Sequence, residues 1–260
     1  MKAFVLALLA GCSHAAAPFA VENPALHWDF SSTRTVAYDY EQQMGSTASL
    51  DQTPTLELAV RGGMDVIATG HGTANVVLRD LVMTHGADHE PVAPAVLAGV
   101  NEDGSSSATV DDPRLLLLKV LAPLPHRVLV PGQSDEVLVD FPVTVDGAPV
   151  VARGGARVTL RGYEAGCAIL DVVTDMSRLD VPAAERSRYD ASLHGTSTLW
   201  FSIADHALQS ASLQLTMTTR APDRKGVSVA TRIDTTLSVA RIPNEKAHPA
   251  PVARGDFALR

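Results

Sequence analysis

The sequence predicts a mostly β protein, an antiparallel meander that forms a curved sheet or half-barrel with one or two short helices. Apolar and polar residues alternate through much of the chain, and short turn signals separate the alternating runs. Of the 260 residues, 46% are hydrophobic and 19% are charged, a composition that supports a buried core. A β-sandwich is the alternative arrangement of the same strands.

The clearest alternation lies near the C-terminal end of the chain. Strands place alternate side chains on opposite faces, and β-branched residues favour them. One face there would carry Val227, Val229, Thr231, Ile233, Thr235, Leu237 and Val239. Similar runs are Val36, Tyr38 and Tyr40; Leu56, Leu58 and Val60; Val76, Leu78 and Val82; Val158 and Leu160; Ala168, Leu170, Val172 and Thr174; Leu199, Phe201 and Ile203; and Leu213, Leu215 and Met217. The short connections between runs predict antiparallel pairing.

Turn and helix signals divide these runs. Arg61-Gly62-Gly63 predicts a turn, and residues 86–112 predict a long surface loop because Gly, Pro, Ser and Asp are frequent there. Asp112-Pro113 predicts the start of a helix that continues to Leu121. A second loop is predicted over residues 181–194, with a short helical turn at 183–188.

The first twelve residues have the order of an export signal. One positive charge at Lys2 precedes a short apolar run, which ends in Leu9-Ala10-Gly11-Cys12. This ending resembles the lipobox of bacterial lipoproteins. The resemblance implies that residues 1–11 are a signal peptide, that Cys12 carries acyl chains such as palmitate, and that the protein is membrane-anchored. Ser13 after the cysteine implies the outer membrane, facing the periplasm. The alternative is that residues 1–9 begin a buried element and Cys12 is a core thiol.

The remaining chain is predicted to form one domain. Residues 12–24 would be the lipidated tether, residues 25–242 a single mainly antiparallel β domain, and residues 243–260 a loosely ordered tail. With Cys12 lipidated, Cys167 would have no intrachain partner, and its apolar neighbours predict a buried, inert thiol.

Two segments carry a further resemblance. Residues 121–134 contain Pro123-Leu124-Pro125, and residues 195–211 contain the sequence Leu-Trp-Phe-Ser-Ile-Ala-Asp at 199–205. Both resemble segments of a group of uncharacterised bacterial lipoproteins, and the second is similar to hairpins of the lipoprotein-carrier half-barrels. The resemblance implies a curved antiparallel sheet that wraps a helix and holds an acyl chain.

The sequence offers little support for catalysis. Motifs for an activated serine, a dinucleotide or a phosphate loop are missing, so we expect neither an enzyme nor a cofactor. His85, Asp88, His89 and Glu90 could hold Zn²⁺ only if their loop folded around the ion, and a solvated loop is the simpler interpretation. An envelope hydrolase that uses His71, Asp88 and His89 around a metal is the corresponding alternative function.

The implied export signal, together with a curved-sheet pattern that lacks catalytic motifs, predicts a non-catalytic binding or scaffold module of the cell envelope. A formal net charge of −8 without a basic cluster makes nucleic acid a poor partner. One alternative is a carrier of a lipid or other hydrophobic small molecule, and another is docking of an envelope protein on an exposed strand edge. If the protein is not such a carrier, side chains of the sheet and the helix would fill the space enclosed by the curved sheet. The predicted lining of a ligand space is Leu199, Phe201, Leu213, Leu215, Ile233 and Leu237.

Overall fold

The computed structural model confirms the predicted fold class. It describes residues 23–48, 54–106, 112–145, 148–180, 190–222 and 228–243. These residues form one open antiparallel sheet of eleven strands and one short helix. The strands are β1 (Thr33–Ala48), β2 (Pro54–Thr69), β3 (Thr73–His85), β4 (Asp88–Val92), β5 (Ala95–Asn101), β6 (Ser134–Val145), β7 (Ala148–Glu164), β8 (Cys167–Asp180), β9 (Asp190–Ser202), β10 (Ala207–Pro222) and β11 (Ser228–Arg241). The helix is α1 (Pro113–Leu121).

The strand order is a meander whose two halves meet in the middle of the sheet. It reads β4-β3-β2-β1-β11-β10-β9-β8-β7-β6, and β5 pairs with β3 on the same edge as β4. The join is the long pairing of β1 with β11, from Tyr38 opposite Arg241 to Ala48 opposite Thr231. The centre of the sheet is therefore formed by two strands that are far apart in the sequence.

The sheet curls strongly around α1. Ten strands side by side would be about 43 Å wide if flat, at about 4.8 Å per strand. A nine-residue helix is only about 13 Å long, yet α1 contacts β5 near one edge, β10 in the middle and β6 at the other edge. The two edges must therefore approach each other across the helix.

The two faces of the curled sheet differ in chemistry. The inner face carries one apolar cluster that includes α1 and the segment before β1. The outer face carries cross-strand ion pairs, including Arg61 with Glu41 at 2.8 Å and Arg157 with Glu136 at 2.7 Å. These pairs are exposed and contribute little stability each, but they keep the outer face hydrophilic.

The predicted turn at Arg61-Gly62-Gly63 is wrong. These residues lie inside β2, where the register with β3 shifts between Arg61 and Gly63. The shift is a β-bulge, which adds one residue to one strand and changes which face later side chains take. Leu81 is consequently buried, and Val82, predicted on the same face as Val76 and Leu78, is 41% exposed.

The predicted loops are also partly wrong. Residues 86–112 contain β4 and β5, which pair with β3, and the segment predicted as a second loop ends inside β9. Pro91 and Pro94 favoured a loop in the sequence, but Pro91 lies in β4, and an edge strand tolerates proline because one side of it needs no hydrogen-bond donors. Pro94 lies in the connection between β4 and β5. The helical turn predicted at 183–188 lies outside the described residues.

The predicted helix is confirmed. The Asp112 side chain accepts a hydrogen bond from the Arg114 backbone N–H at 2.9 Å, and proline follows at the first turn. None of the helices among the described residues has the length and apolar character needed to span a membrane. The predicted signal peptide, Cys12 and the tail from 244 onward lie outside the described residues.

Candidate functional site

One end of the inner face is closed by three chain segments. Trp28 lies edge-on to the ring of Phe201, with their centroids 5.7 Å apart, and its backbone N–H donates to the Glu102 carbonyl at 2.8 Å. Leu124, fully buried, donates its backbone N–H to the carbonyl of Asp103 at 3.3 Å. The segment before β1, the loop after β5 and the chain after α1 therefore cover this end together.

The two buried phenols of the inner face, Tyr38 and Tyr40, each have a hydrogen-bond partner. The Tyr40 hydroxyl donates to the Gln42 side-chain oxygen at 2.7 Å, and the Tyr38 hydroxyl donates to the Leu208 carbonyl at 3.2 Å. Burial raises the pKa of both phenols well above the usual range, so both stay neutral. They act as structural donors rather than as acids.

Among the described residues, the cover is incomplete at the opposite end of the inner face. Four apolar side chains lie there on adjacent strands and are partly buried: Leu58, Met44, Ile233 and Met217. We call these four residues the open-end strip. Met44 lies opposite Leu58, and Ile233 lies opposite Met217. On β1, Ser46 lies opposite Ile233 of β11. Because Met44 is two residues before Ser46 on the same face, Met44 and Ile233 are diagonal neighbours within reach of each other.

The strip continues the core without being packed into it. Partly buried apolar residues that pack against the core cluster are Met83, Val92, Leu118 and Ala122, and the strip does not belong to that group. Next to Met217 on β9 lies Leu193, which is buried. One row further out, Thr219 and Thr231 lie opposite each other and are partly buried. The described surface here is an apolar strip with a hydroxyl-bearing rim.

The structure places all six predicted lining residues on strands around the inner face. Leu199, Phe201, Leu213 and Leu237 are at most 1% exposed, and Leu215 is also buried in the core. Ile233 alone among the six belongs to the open-end strip. Met44, Leu58 and Met217 were not predicted as lining residues, although the alternation of apolar and polar residues placed Leu58 and Met217 on strands. The signal that identifies them is their register with Ile233, which requires the strand pairing.

The alternative metal site is not assembled. His71 lies in the turn before β3, whereas Asp88 and His89 lie in the hairpin after it. β3 separates them by about 40 Å at about 3.3 Å per residue, so the three cannot share an ion. Throughout the described ranges, no group of three or more His, Cys, Asp or Glu side chains could hold a metal.

Cys167 lies at the start of β8 and is buried, as predicted. Burial raises the pKa of its thiol, and the charge of Asp205 adds to the shift. A thiol held in its protonated form is a poor nucleophile. Cys167 therefore fits a packing role better than a reactive one.

The outer face carries a cavity of about 810 Å³ across β3, β2, β1, β11 and β10. Along β11 it is lined by Arg232, Asp234 and Thr236, with Thr235 also contributing. The first three occupy alternate positions, opposite to the buried Thr235 and Leu237. The cavity therefore opens on the polar face of the sheet, behind the open-end strip.

No protein-family model matches the chain, and no curated protein matches it. Among solved structures, the chain is similar to one described as "Lipid-protein interactions in lipovitellin", with a TM-score of 0.42 and 10% identity over 85% of this chain. The chain spans 26% of that protein's length. It is also similar to the translocator domain of the autotransporter NalP from Neisseria meningitidis, with a TM-score of 0.17, 11% identity, 81% of this chain and 89% of the other. Both similarities are too distant to bear on function.

Proposed function

We propose that this protein is a membrane-anchored, non-catalytic binding module of the bacterial cell envelope, and that it holds one apolar ligand at the open end of its curled sheet. The ligand class is an acyl chain or a similar hydrocarbon. The inner face provides apolar contact area, and the threonine rim provides hydroxyls for a polar end of the ligand. Among the described residues of this face, we find no group of side chains arranged for catalysis.

One observation carries the proposal. The apolar rows of the inner face are covered at the end where Trp28 and Leu124 pack, and they continue at the other end into the open-end strip. Partly exposed apolar surface that continues a core is unfavourable in water, and covering it with a hydrocarbon contributes about 25 cal/mol per Å² of apolar surface removed from water. The four fully buried predicted lining residues would contact only the innermost part of such a ligand.

The direct experiment is displacement of a fluorescent fatty acid from the purified protein by dodecanoic acid. In wild type we expect saturable binding of one molecule, and native mass spectrometry after gentle extraction should show a co-purifying hydrophobe. Met217→Glu places a charge in the strip and should weaken binding at least tenfold. The control Thr218→Glu places the same side chain on the exposed outer face of the same strand and should bind as wild type does.

Two results would reject the proposal. Wild type that binds neither the fluorescent fatty acid nor any co-purifying hydrophobe would mean that the inner face is filled. An anchored surface for an envelope protein partner would then be the better hypothesis. Equal loss of binding in Met217→Glu and Thr218→Glu, with circular dichroism unchanged, would place any binding elsewhere.

The membrane anchor is a separate part of the proposal and rests on the resemblance of residues 9–12 to a lipobox. Cys12→Ala should abolish incorporation of labelled palmitate in cells and move the protein from the membrane to the soluble fraction. Cys167→Ala is the matched control because it removes the other cysteine. Retention of Cys12→Ala in the outer membrane, with label still incorporated, would contradict lipidation at this position.

A further inference from the structure

The outer-face cavity has the chemistry of a second, hydrophilic site. Its lining includes the amides of Gln43 and Gln214, the hydroxyls of Thr216 and Thr236, and the carboxylate of Glu57. The charges of Arg232 and Asp234 offset each other, because the guanidinium donates to the carboxylate at 2.8 Å. The lining also includes Met44, Leu58 and Leu215, so the site combines apolar contacts with many hydrogen-bonding groups, and a polyanion would meet little positive charge there.

The floor of the cavity is made by small residues at the centre of the sheet. Gly45 lies opposite Glu57 on one side and opposite Asp234 on the other, and Ala59 lies next to Gln43. A Cβ atom at Gly45 would have no heavy-atom neighbour within 4 Å. The cavity is therefore open space above the backbone, and the larger polar side chains form its walls.

The size of the cavity suits an extended small ligand. From β3 to β10 the site crosses four strand spacings, which is about 19 Å at about 4.8 Å each. Its volume of about 810 Å³ lies within the usual range of small-molecule sites, about 300 to 1,000 Å³.

The sheet itself argues against a peptide bound as an added strand. β2, β1, β11 and β10 are each paired on both sides, so their backbone groups are already used in the ladders. Strand addition requires a free edge. Recognition in the cavity must therefore rely on side-chain amides, hydroxyls and carboxylates, which match a ligand that presents many hydroxyl groups.

We propose that the outer-face cavity binds an uncharged oligosaccharide, with Gln43, Gln214, Thr216, Thr236 and Asp234 as hydrogen-bonding partners and Gly45 as the floor. The polar side chains of this site lie on the outer face, opposite to the side chains of the open-end strip, although Met44 and Leu58 also belong to its lining. The proposal stands whether or not the apolar ligand is found.

The test is isothermal titration of the full protein with cellotetraose, maltotetraose and chitotetraose. At least one of these tetrasaccharides should bind wild type. Gly45→Gln places a side chain on the floor, where a Cβ atom would have no heavy-atom neighbour within 4 Å, and it should weaken that binding at least tenfold while the circular dichroism spectrum stays unchanged. The control Ser238→Gln adds the same side chain on the outer face of β11 outside the cavity, and it should bind as wild type does.

Three outcomes would overturn the assignment. Absence of binding by all three tetrasaccharides at millimolar concentration would remove the ligand class. Unchanged affinity in Gly45→Gln would place the saccharide elsewhere on the protein. Binding of a hydrophilic tetrapeptide that competes with the saccharide and is lost in Gly45→Gln would assign the cavity to a peptide instead.

Discussion

At the residue scale, Gly63 determines where the side chain of Arg79 can lie. Arg79 donates from Nε to Asp65 at 2.7 Å and from Nη2 to the other carboxylate oxygen at 3.1 Å. A Cβ at Gly63 would lie 2.8 Å from Nη1 of Arg79. The glycine thus gives the guanidinium room to lie across β2 and pair with a carboxylate that is mostly buried.

Replacing this glycine should destabilise the fold. Gly63→Ala forces the guanidinium away from Asp65 and should lower the free energy of unfolding by about 1 to 3 kcal/mol, the effect of disturbing a charged hydrogen bond. Gly45→Ala is the matched control because its Cβ meets open space, and we expect a change within about 0.5 kcal/mol. Urea denaturation measures both, and equal effects would show that the Arg79 contact is not the cause.

A second residue-scale prediction concerns pH. Arg241 donates to the Asp205 carboxylate at 2.5 Å, and this contact holds the pKa of Asp205 below its usual range. A carboxyl group whose pKa is lower in the folded protein contributes stability above its unfolded value, about 3.9, and loses it as the pH falls through the folded value. Asp205→Asn should therefore be less stable than wild type at pH 7, and the two should converge near pH 2 in urea titrations. A gap that persists there would contradict the ion-pair explanation.

Which face a residue takes could be predicted only as long as the strand register is regular. Leu199, Leu213 and Leu237 follow simple alternation, and the structure places all three in the core. Val82 does not, because the bulge near Gly63 shifts the phase of β3 relative to β2. Bulges depend on the partner strand, so alternation along one strand does not reveal them.

At the element scale, α1 connects parts of the sheet that are far apart in the strand order. Its start was predictable because Asp112 and the following proline form a local cap. Its position against β5, β10 and β6 was not, because those contacts depend on the curl of the whole sheet. β4 and β5 could not be predicted for a similar reason, because both depend on pairing with β3, and Pro91 in β4 is compatible with a strand only at an edge.

The chain that follows α1 should contribute strongly to stability. Leu124 is fully buried, and Leu124→Ala should lower the free energy of unfolding by about 2 to 5 kcal/mol through lost contacts and a cavity. Leu138→Ala is the control, since Leu138 on β6 is 89% exposed and should change stability by less than about 0.5 kcal/mol. Similar midpoints in urea for the two variants would mean that this closed end is loosely packed.

At the scale of the whole molecule, the pairing of β1 with β11 explains why, among the described residues, one end of the inner face is covered and the other is only partly covered. In this register, Tyr38 and Tyr40 lie toward the end where Trp28 and the chain after α1 pack. Met44 lies opposite Thr235, toward the other end. Local periodicity predicted the strands and the apolar face, but this long-range register could not be derived from it. The open-end strip is a consequence of the register, which is why only Ile233 of the strip was predicted as a lining residue.

The methionine methyl groups report the proposed binding site most directly. Met44 and Met217 belong to the open-end strip, whereas Met64 is buried in the core and Met83 packs against it on β3. We would label the methionine methyls with ¹³C and titrate the protein with dodecanoic acid, following the methyl resonances by NMR. We expect saturable shifts at Met44 and Met217, with Met64 and Met83 unchanged. Unchanged Met44 and Met217 resonances at saturating dodecanoic acid, or shifts confined to Met64 and Met83, would contradict a ligand site at the open end of the sheet.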